Sequence, residues 1–260
     1  MTLPSDRQRT DGETVFHDAP LRYRKLTVAN ADLDVAQGGD VSGPQEGFKI
    51  RVARMPYRRR EAGKMVERRY SGRGYQTPSP LPDYGEAEMS TFLAYDEGKL
   101  VGTVTVKLDS PALLGADALY PDEVHKLRQA GFRLCEFTRL AVLTTATSKP
   151  VLAGLFHTAF LYAARIKGFT HAIIEVNPRH VGFYQKALGF RVIGDVRINQ
   201  RVNAPAVLMV VPFARIAESL RRGGPSPHRA TASRSLLLHG FPASDEPGVL
   251  ARLRERVHAA

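Results

Sequence analysis

The chain has 260 residues, of which 43% are hydrophobic, enough to bury a sizeable core in one large domain or two small ones. No run of about 18 apolar residues occurs, so no transmembrane helix is expected, and residues 1–20 lack the apolar segment of a signal peptide. These absences predict a cytoplasmic protein. Cys135 is the single cysteine, which excludes an internal disulfide and a Cys-x-x-Cys metal site. Its apolar neighbours predict a buried, inert thiol rather than a nucleophile.

The formal charge of +11 attracts acidic partners such as nucleic acid, an anionic membrane surface or an acidic carrier protein. The positive charge is concentrated in residues 49–73, where Glu61 and Glu67 are the only acids, whereas residues 1–46 are net negative. No helix-turn-helix, zinc-finger or RNA-binding pattern appears, so nucleic acid is not expected as a partner. The basic segment could also make transient contact with a membrane surface.

Residues 1–46, rich in Gly, Asp, Gln and Pro, predict an irregular leader. The alternation of apolar and basic residues from Phe48 predicts a strand, and a largely solvated basic helix is expected over 57–70. A Gly/Pro-rich loop leads to two apolar-alternating strands that flank residues 96–99, a pattern typical of a hairpin. Pro121 opens a short helix with acids in its first turn.

The second half of the chain alternates strands and helices. FRLCEFTRLAVL and THAIIEV predict core strands, and the apolar stretch between them predicts a buried helix that begins at Ser148 and ends at Gly168. Asn177 precedes a further helix, and FRVIGDVRI and PAVLMVVPF predict two more strands. Residues 223–260 predict a linker and a C-terminal amphipathic helix. The order predicts an α/β (α+β) domain over residues 47–222, with a mixed central sheet of about six to seven strands flanked by helices.

Several motifs, in this order, carry a resemblance to a known family. CEFTRLAV, NPRHVGFYQKALGF and RVNAPAVL resemble the FeeM-like N-acyl amino acid synthases, which are GNAT N-acyltransferases related to acyl-homoserine-lactone synthases. RVARMPYRRREAGKMVERRYSGRGY and GKLVGTVTVKLDSP resemble the first half of the same group, so the resemblance covers about Phe48 to Phe213. It implies a GNAT fold and an enzyme that moves a long-chain acyl group from an acyl carrier protein thioester to the amine of an amino acid, with no permanently bound cofactor or metal.

Glu136 is the candidate general base. It lies in an otherwise apolar strand, and alternation places Glu136, Thr138 and Leu140 on one face. Amine attack on a thioester requires a neutral amine, so a base must remove its proton. A carboxylate on a half-buried strand has a raised pKa unless it is paired. The alternative is a structural ion pair with a nearby arginine.

Two further residues have candidate roles in the transfer. Arg139 could bind the carboxylate of the amino acid or a structural one. The resemblance implies that Tyr184 protonates the leaving thiolate, and that a strand bulge around Leu140–Val142 frees a backbone N–H for the thioester carbonyl. One extra residue separates Tyr184 from Gly189-Phe190 compared with the usual GNAT pattern, so a core aromatic is the alternative for Tyr184.

Asn177 and His180 are candidate substrate-binding residues. They lie at a helix start beside Arg179, which suits an anionic group, and His180 shares a helix face with Tyr184. An ordinary capping or packing role is the alternative for His180.

The acyl donor is predicted from the absence of a glycine-rich loop before the helix that begins at Ser148. GNAT enzymes that use coenzyme A have a glycine-rich loop whose N–H groups hold the pyrophosphate. Here LTTATSKPVLAGLF has no such glycines, and Pro150 removes one N–H. Thr145, Ser148 and Lys149 could hold the single phosphate of phosphopantetheine, which favours acyl carrier protein over acyl-coenzyme A as co-substrate. Arg58 and Arg59 could then meet the acidic carrier, although a solvated helix face is the alternative.

Four other functions compete with this hypothesis. A coenzyme-A-dependent GNAT acetyltransferase is disfavoured by the missing glycine loop. An acyl-homoserine-lactone synthase is disfavoured because the chain has no tryptophan. A basic module that binds nucleic acid or membrane, and a non-catalytic GNAT domain that senses acyl groups, are the other two.

Overall fold

The computed structural model describes residues 27–28, 48–76, 88–143, 148–223 and 235–258. Within these ranges nine strands form one sheet in the order β1-β2-β3-β4-β5-β6-β9-β7, with β8 paired to β9. Neighbouring strands are antiparallel except for the pairs β1–β2 and β5–β6. The strands are Thr27–Val28 (β1), Lys49–Val52 (β2), Met89–Asp96 (β3), Lys99–Leu108 (β4), Leu134–Val142 (β5), His171–Val176 (β6), Arg191–Val192 (β7), Arg197–Asn199 (β8) and Ala204–Pro212 (β9).

Helices cover both faces of this sheet, which confirms the predicted mixed α/β class. They are Pro56–Ser71 (α1), Pro121–Gln129 (α2), Ser148–Phe160 (α3), Val181–Leu188 (α4), Phe213–Gly223 (α5) and Glu246–His258 (α6). A π-helical turn, Leu161–Ile166, continues α3, and the chain turns away at Gly168 with a φ of 71°. The sequence did not predict α5.

The stretch FRVIGDVRI was predicted as one strand, and the structure divides it into β7 and β8. The reason lies at Gly194, whose backbone passes against the ring of Tyr120: a Cβ there would lie 2.7 Å from two ring carbons. The N–H groups of Ile193 and Gly194 both bond to the Leu208 carbonyl. The chain therefore leaves the ladder at this point instead of continuing along it.

Alternation along the strands gives the two faces of the sheet different partners. One face packs on α3, α4 and α5 and forms the main core, which includes Phe92, Val104, Cys135, Ile174 and Met209. Cys135 is fully buried and burial raises its pKa, which confirms the predicted inert thiol. The other face carries α1 over its β3–β5 side and α2 over its β5, β6 and β9 side.

The described C-terminal residues pack onto the main core. Leu237, Phe241 and Leu253 are buried against it, and the imidazole of His157 on α3 accepts a hydrogen bond from the Phe241 N–H at 3.0 Å and contacts Glu246 at 3.1 Å. The predicted leader, apart from β1, and most of the predicted linker lie outside the described residues. Among the helices that the structure describes, none combines the length and apolarity needed to cross a bilayer.

Candidate active site

The centre of the sheet opens where β5 and β6 separate. These parallel strands pair from Leu134 to Glu136 and from His171 to Ile173, and then each runs on without pairing to the other. The gap between them lies at the middle of the sheet, with α1 and α2 on one face and α3 and α4 on the other. Glu136 is therefore the last paired residue of β5 before the opening.

A bulge in β5 lies directly after this point. Thr105 of β4 pairs with Thr138 and Thr103 pairs with Ala141, so two residues, Arg139 and Leu140, face one residue of β4. Arg139 has a φ of 51°. The bulge was predicted around Leu140–Val142 and begins one residue earlier, at Arg139. The residues that follow it point to the opposite side of the sheet from the one that strict alternation predicts. Leu140 packs against the main core, so the prediction that it shares a face with Glu136 is wrong.

Glu136 is 3% exposed and lies on the face that carries α2. Its Oε2 accepts hydrogen bonds from the N–H groups of Gly115 at 2.6 Å and Ala116 at 3.3 Å, and Oε1 makes no hydrogen bond to another residue that the structure describes. Burial, and then the charge of Glu175, raise the pKa of Glu136 to about 7, against the opposing effect of Arg201 and the two N–H groups. The carboxyl group can therefore exchange a proton near neutral pH.

A second buried carboxylate stands beside it. Glu175 is two residues beyond Ile173 on β6 and on the same face. Its Oε1 accepts a hydrogen bond from Arg201 Nη2 at 2.8 Å, and its Oε2 accepts one from the Asn199 amide. Both oxygens of Glu175 therefore have hydrogen-bond donors, and the carboxylate lies close to Glu136.

The end of α1 and the turn between β8 and β9 close the site on this face. The Gln76 N–H donates to the Val202 carbonyl at 2.9 Å, and Tyr75 accepts a hydrogen bond from Arg179 Nη2 at 2.8 Å. Tyr70 packs edge-on to Tyr75. Burial raises the pKa of Tyr70, and the positive charges of three arginines oppose that shift: Arg139, Arg73 and Arg201. The mouth of the site is therefore aromatic and positively charged.

Tyr184 approaches the gap from the opposite face. It lies on α4 with its ring against Phe156, Phe183 and Phe190. Burial, and then the Tyr70 hydroxyl, raise the pKa of Tyr184 above its ordinary value. Tyr184 therefore keeps its proton at neutral pH, as a proton donor must. The effect of Tyr70 on its pKa indicates that the two hydroxyl groups lie near each other, although they belong to helices on opposite faces of the sheet.

Asn177 and His180 stand at the rim, and their contacts are local. The Asn177 side chain accepts a hydrogen bond from the Arg179 N–H at 3.2 Å, which is a cap at this helix start. His180 Nε2 accepts one from Arg179 Nε at 3.2 Å, and burial, followed by Arg179 and Arg73, lowers the pKa of His180. His180 is thus neutral at pH 7.

The residues predicted to meet the donor are dispersed. Thr145 and the Ser148 side chain lie outside the described residues. Lys149 is the second residue of α3 and lies near His239, whose pKa is lowered by burial and then by Lys149. Arg58 is 5% exposed, with its Nε bonded to the Tyr57 hydroxyl.

The exposed charges of α1 are carried by residues other than the buried Arg58. Arg59 bonds to the Ala53 carbonyl at 2.9 Å. Three basic residues spaced by four positions lie along the exposed side of the helix, Arg60, Lys64 and Arg68, and the exposed Glu67 lies on the same side.

Sequence reasoning missed four residues of this site. Glu175 had the same signal as Glu136, a carboxylate inside an apolar strand, and Arg201 lies in the quoted motif RVNAPAVL. Gly115 and Tyr70 had no such signal, because their importance comes from neighbours distant in the sequence. Among the described residues, no group of three or more His, Cys, Asp or Glu could hold a metal ion.

Comparisons with known proteins identify the family and the fold of the chain. The N-acyl amino acid synthase FeeM family matches residues 61–212. The structure of FeeM, an N-acyl amino acid synthase from uncultured soil microbes, is 26% identical, with a TM-score of 0.57 over 64% of this chain and 91% of FeeM.

More distant structures include an acetyltransferase of the GNAT family from Streptococcus pneumoniae (16% identity, 64% of this chain, 99% of that chain, TM-score 0.42). The acyl-homoserine-lactone synthase LasI is another, with 11% identity over 64% of this chain and 90% of LasI and a TM-score of 0.45. No curated protein matches the chain. The FeeM match confirms the predicted GNAT fold and an N-acyltransferase that uses an acyl thioester donor. The chain belongs to the FeeM family of N-acyl amino acid synthases.

Proposed function

We propose that this N-acyltransferase moves a long-chain acyl group from an acyl carrier protein thioester to the amine of an amino acid. The observation that carries the proposal is Glu136, a buried carboxyl group at the point where β5 and β6 separate. Two backbone N–H groups fix its Oε2, which leaves Oε1 for the acceptor amine. Its raised pKa suits proton transfer from an amine at neutral pH.

The transfer uses the two sides of the gap. Glu136 takes the proton of the acceptor ammonium, and the free amine attacks the thioester carbon to form the C–N bond. The bulge at Arg139–Leu140 supplies a backbone N–H for the oxygen that becomes negative. The C–S bond then breaks as Tyr184 gives its proton to the leaving thiolate, and the nitrogen of the new amide loses its second proton to solvent. Solvent then returns a proton to the Tyr184 oxygen and takes the proton held by Glu136.

The acceptor enters through the basic mouth around Tyr70. A carboxylate is the group that Arg73, Arg139 and Arg201 would attract together. Asn177 and His180, beside Arg179 at the rim, would contact the outer part of the acceptor. This places the acceptor on the α1–α2 face and the donor thioester on the side of Tyr184.

The donor arm is proposed to follow α3. Thr145, Ser148 and Lys149 would hold the phosphate of phosphopantetheine, because the loop before α3 lacks glycines for a pyrophosphate. The exposed stripe of α1, Arg60, Lys64 and Arg68, would meet the acidic carrier protein, with Arg59 beside it and Arg58 packed beneath.

The test is product formation from matched donors. Purified protein is incubated with one long-chain acyl group on either acyl carrier protein or coenzyme A, with a mixture of amino acids, and N-acyl products are identified by mass spectrometry. The carrier thioester is expected to give the larger kcat/KM. Product from coenzyme A thioesters alone, or no N-acyl amino acid from either donor, would overturn the proposal.

Charge reversal on α1 tests the docking surface. Arg60→Glu with Lys64→Glu is expected to raise KM for the carrier thioester about tenfold or more and to leave KM for the coenzyme A thioester unchanged. Arg221→Glu on α5, an exposed arginine far along the chain, is the matched control. An equal loss with both donors would show that the stripe does not meet the carrier.

A further inference from the structure

One arginine joins three elements around the turn that binds Glu136. The guanidinium of Arg128, in the last turn of α2, donates to both carboxylate oxygens of Asp109 at 2.7 and 2.8 Å and to both of Asp117 at 2.5 and 2.7 Å. Asp109 directly follows β4, and Asp117 lies in the short 3-10 helix Gly115–Ala118. The three side chains are only 26%, 17% and 12% exposed, so these ion pairs are shielded from solvent.

The ion pairs reach Glu136 through the backbone of the 3-10 helix. Asp117 Oδ2 also accepts a hydrogen bond from the Leu114 N–H at 2.8 Å. The next two N–H groups, of Gly115 and Ala116, donate to Glu136 Oε2. Three consecutive N–H groups are thus held by two carboxylates, so a displacement of Asp117 would displace the donors of Glu136.

The backbone of this turn needs support from its surroundings. Leu113, two residues before Gly115, has a φ of 59°, a left-handed conformation that is unfavourable for a side chain of its kind. A Cβ at Gly115 would lie 3.0 Å from both oxygens of Glu136, so the backbone passes too close to the carboxylate for any side chain. Such a conformation persists only where neighbouring contacts impose it, and the four hydrogen bonds of Arg128 supply such a restraint.

We propose that Arg128 is a positioning residue for the general base: by holding Asp109 and Asp117 together, it keeps the N–H groups of the 3-10 helix on Glu136 Oε2. The inference rests on the proposed role of Glu136 in acyl transfer. N–H donors stabilise the ionised carboxylate, which is the form that accepts a proton. Loosening the turn should therefore raise the pKa of Glu136 and restrict activity to higher pH.

Other charges also face Glu136. Glu175 on β6 and Arg201 in the turn between β8 and β9 are bonded to each other, and Lys107 lies opposite Glu136 on β4. All three are unchanged in the variants that test the inference. A direct effect of charge and an effect of position could both move the pKa of Glu136, so one variant is chosen for which the two effects have opposite signs.

The first test measures the pKa of Glu136 without turnover. Urea unfolding from pH 5 to pH 9 is followed for wild type, Arg128→Met and Asp117→Ala, each with and without Glu136→Gln. The pH dependence of each stability difference gives the pKa. Both variants are expected to raise it by about one unit, because two charge-assisted N–H bonds are weakened. A direct effect of charge would instead lower it in Asp117→Ala, which removes a negative charge.

The second test is the pH–rate profile with the donor and acceptor that give the most product. In the same two variants kcat/KM is expected to fall about tenfold at pH 6 and to stay within about twofold of wild type at pH 9, where Glu136 is ionised in every protein. Arg128→Lys, which keeps the charge and loses the fork, should lie between. Glu123→Gln, which breaks an ion pair of similar burial on the same helix, is the matched control and should leave the profile unchanged.

An unchanged or lowered pKa of Glu136 in Asp117→Ala would overturn the inference. An equal loss of kcat/KM at pH 6 and pH 9 would overturn it as well, because Arg128 would then act only through the stability of the fold. If Arg128→Met does not fold, Asp117→Ala and Arg128→Lys decide both tests. If the pKa rises in the unfolding experiment and the acid limb of the rate profile does not follow it, the link between Arg128 and Glu136 stands and the proposed role of Glu136 in transfer fails.

Discussion

The substitution Glu136→Gln separates the energetic cost of this carboxyl group from its chemistry. Glu136 is 3% exposed, and its pKa is raised from an ordinary 4.5 to about 7. Since one pKa unit is worth about 1.4 kcal/mol, the folded protein favours the protonated form by about 3 kcal/mol more than the unfolded chain does.

The sign of the pH effect follows from proton linkage. Between pH 4.5 and about 7 the folded state holds a proton on Glu136 that the unfolded state has lost, so the free energy of unfolding falls as the pH rises. This contribution is complete below pH 4.5 and lost above pH 7. Glutamine has no proton to lose, and its amide oxygen can still accept from the Gly115 and Ala116 N–H groups.

The variant is therefore expected to gain about 2.5 kcal/mol of stability relative to the wild type when the pH rises from 5 to 8, since a small part of the contribution is already lost at pH 5. Urea unfolding at both pH values measures this difference. Glu218→Gln, which removes a partly exposed carboxylate from α5, should show no such gain. A difference between Glu136→Gln and wild type that is the same at pH 5 and pH 8 would refute the assignment of a raised pKa to this group.

The same variant tests catalysis. The wild-type kcat/KM is expected to fall tenfold for each pH unit below about 7, because only the ionised Glu136 accepts a proton. Glu136→Gln should lower turnover about 10²- to 10⁴-fold, the usual contribution of a general base. Near wild-type turnover in a folded variant would assign Glu136 a structural role instead.

Three further substitutions probe other parts of the molecule. Glu175→Gln removes the negative charge that raises the pKa of Glu136, so the acid limb of the pH–rate profile should move to lower pH, and a move to higher pH would contradict this electrostatic account. Tyr184→Phe should lower kcat about 10- to 100-fold without changing KM for the acceptor, and an unchanged kcat would assign the ring to packing. His157→Ala should reduce the free energy of unfolding by about 3 kcal/mol in a denaturation experiment, because it removes a fully buried side chain and its contact with Glu246. A loss below about 1 kcal/mol would show that this contact does not anchor the C-terminal residues.

Local features of the sequence were sufficient for the fold and for one member of the site. An acid inside an apolar strand marks Glu136 without any knowledge of its neighbours. A helix of almost wholly apolar residues must be buried, and Gly168 supplies the positive φ at which the chain turns away beyond α3. The order of strands and helices follows from periodicity, because the spacing of apolar residues within each element shows its type and the side that faces the core.

The rest of the site depends on contacts between distant parts of the chain. Gly115, Glu136, Glu175 and Arg201 come from a short 3-10 helix, two strands and a turn, and only the tertiary arrangement of β5, β6 and β9 brings them together. The bulge at Arg139 is likewise invisible in the sequence, since it is a change of backbone conformation that inverts the alternation on which the face assignment depended. The sequence determined most of the elements and which of them are buried, because those properties are local, but it did not predict α5 or the break between β7 and β8. Tertiary structure decided which charges meet, because no periodicity within an element specifies the residue that lies opposite it.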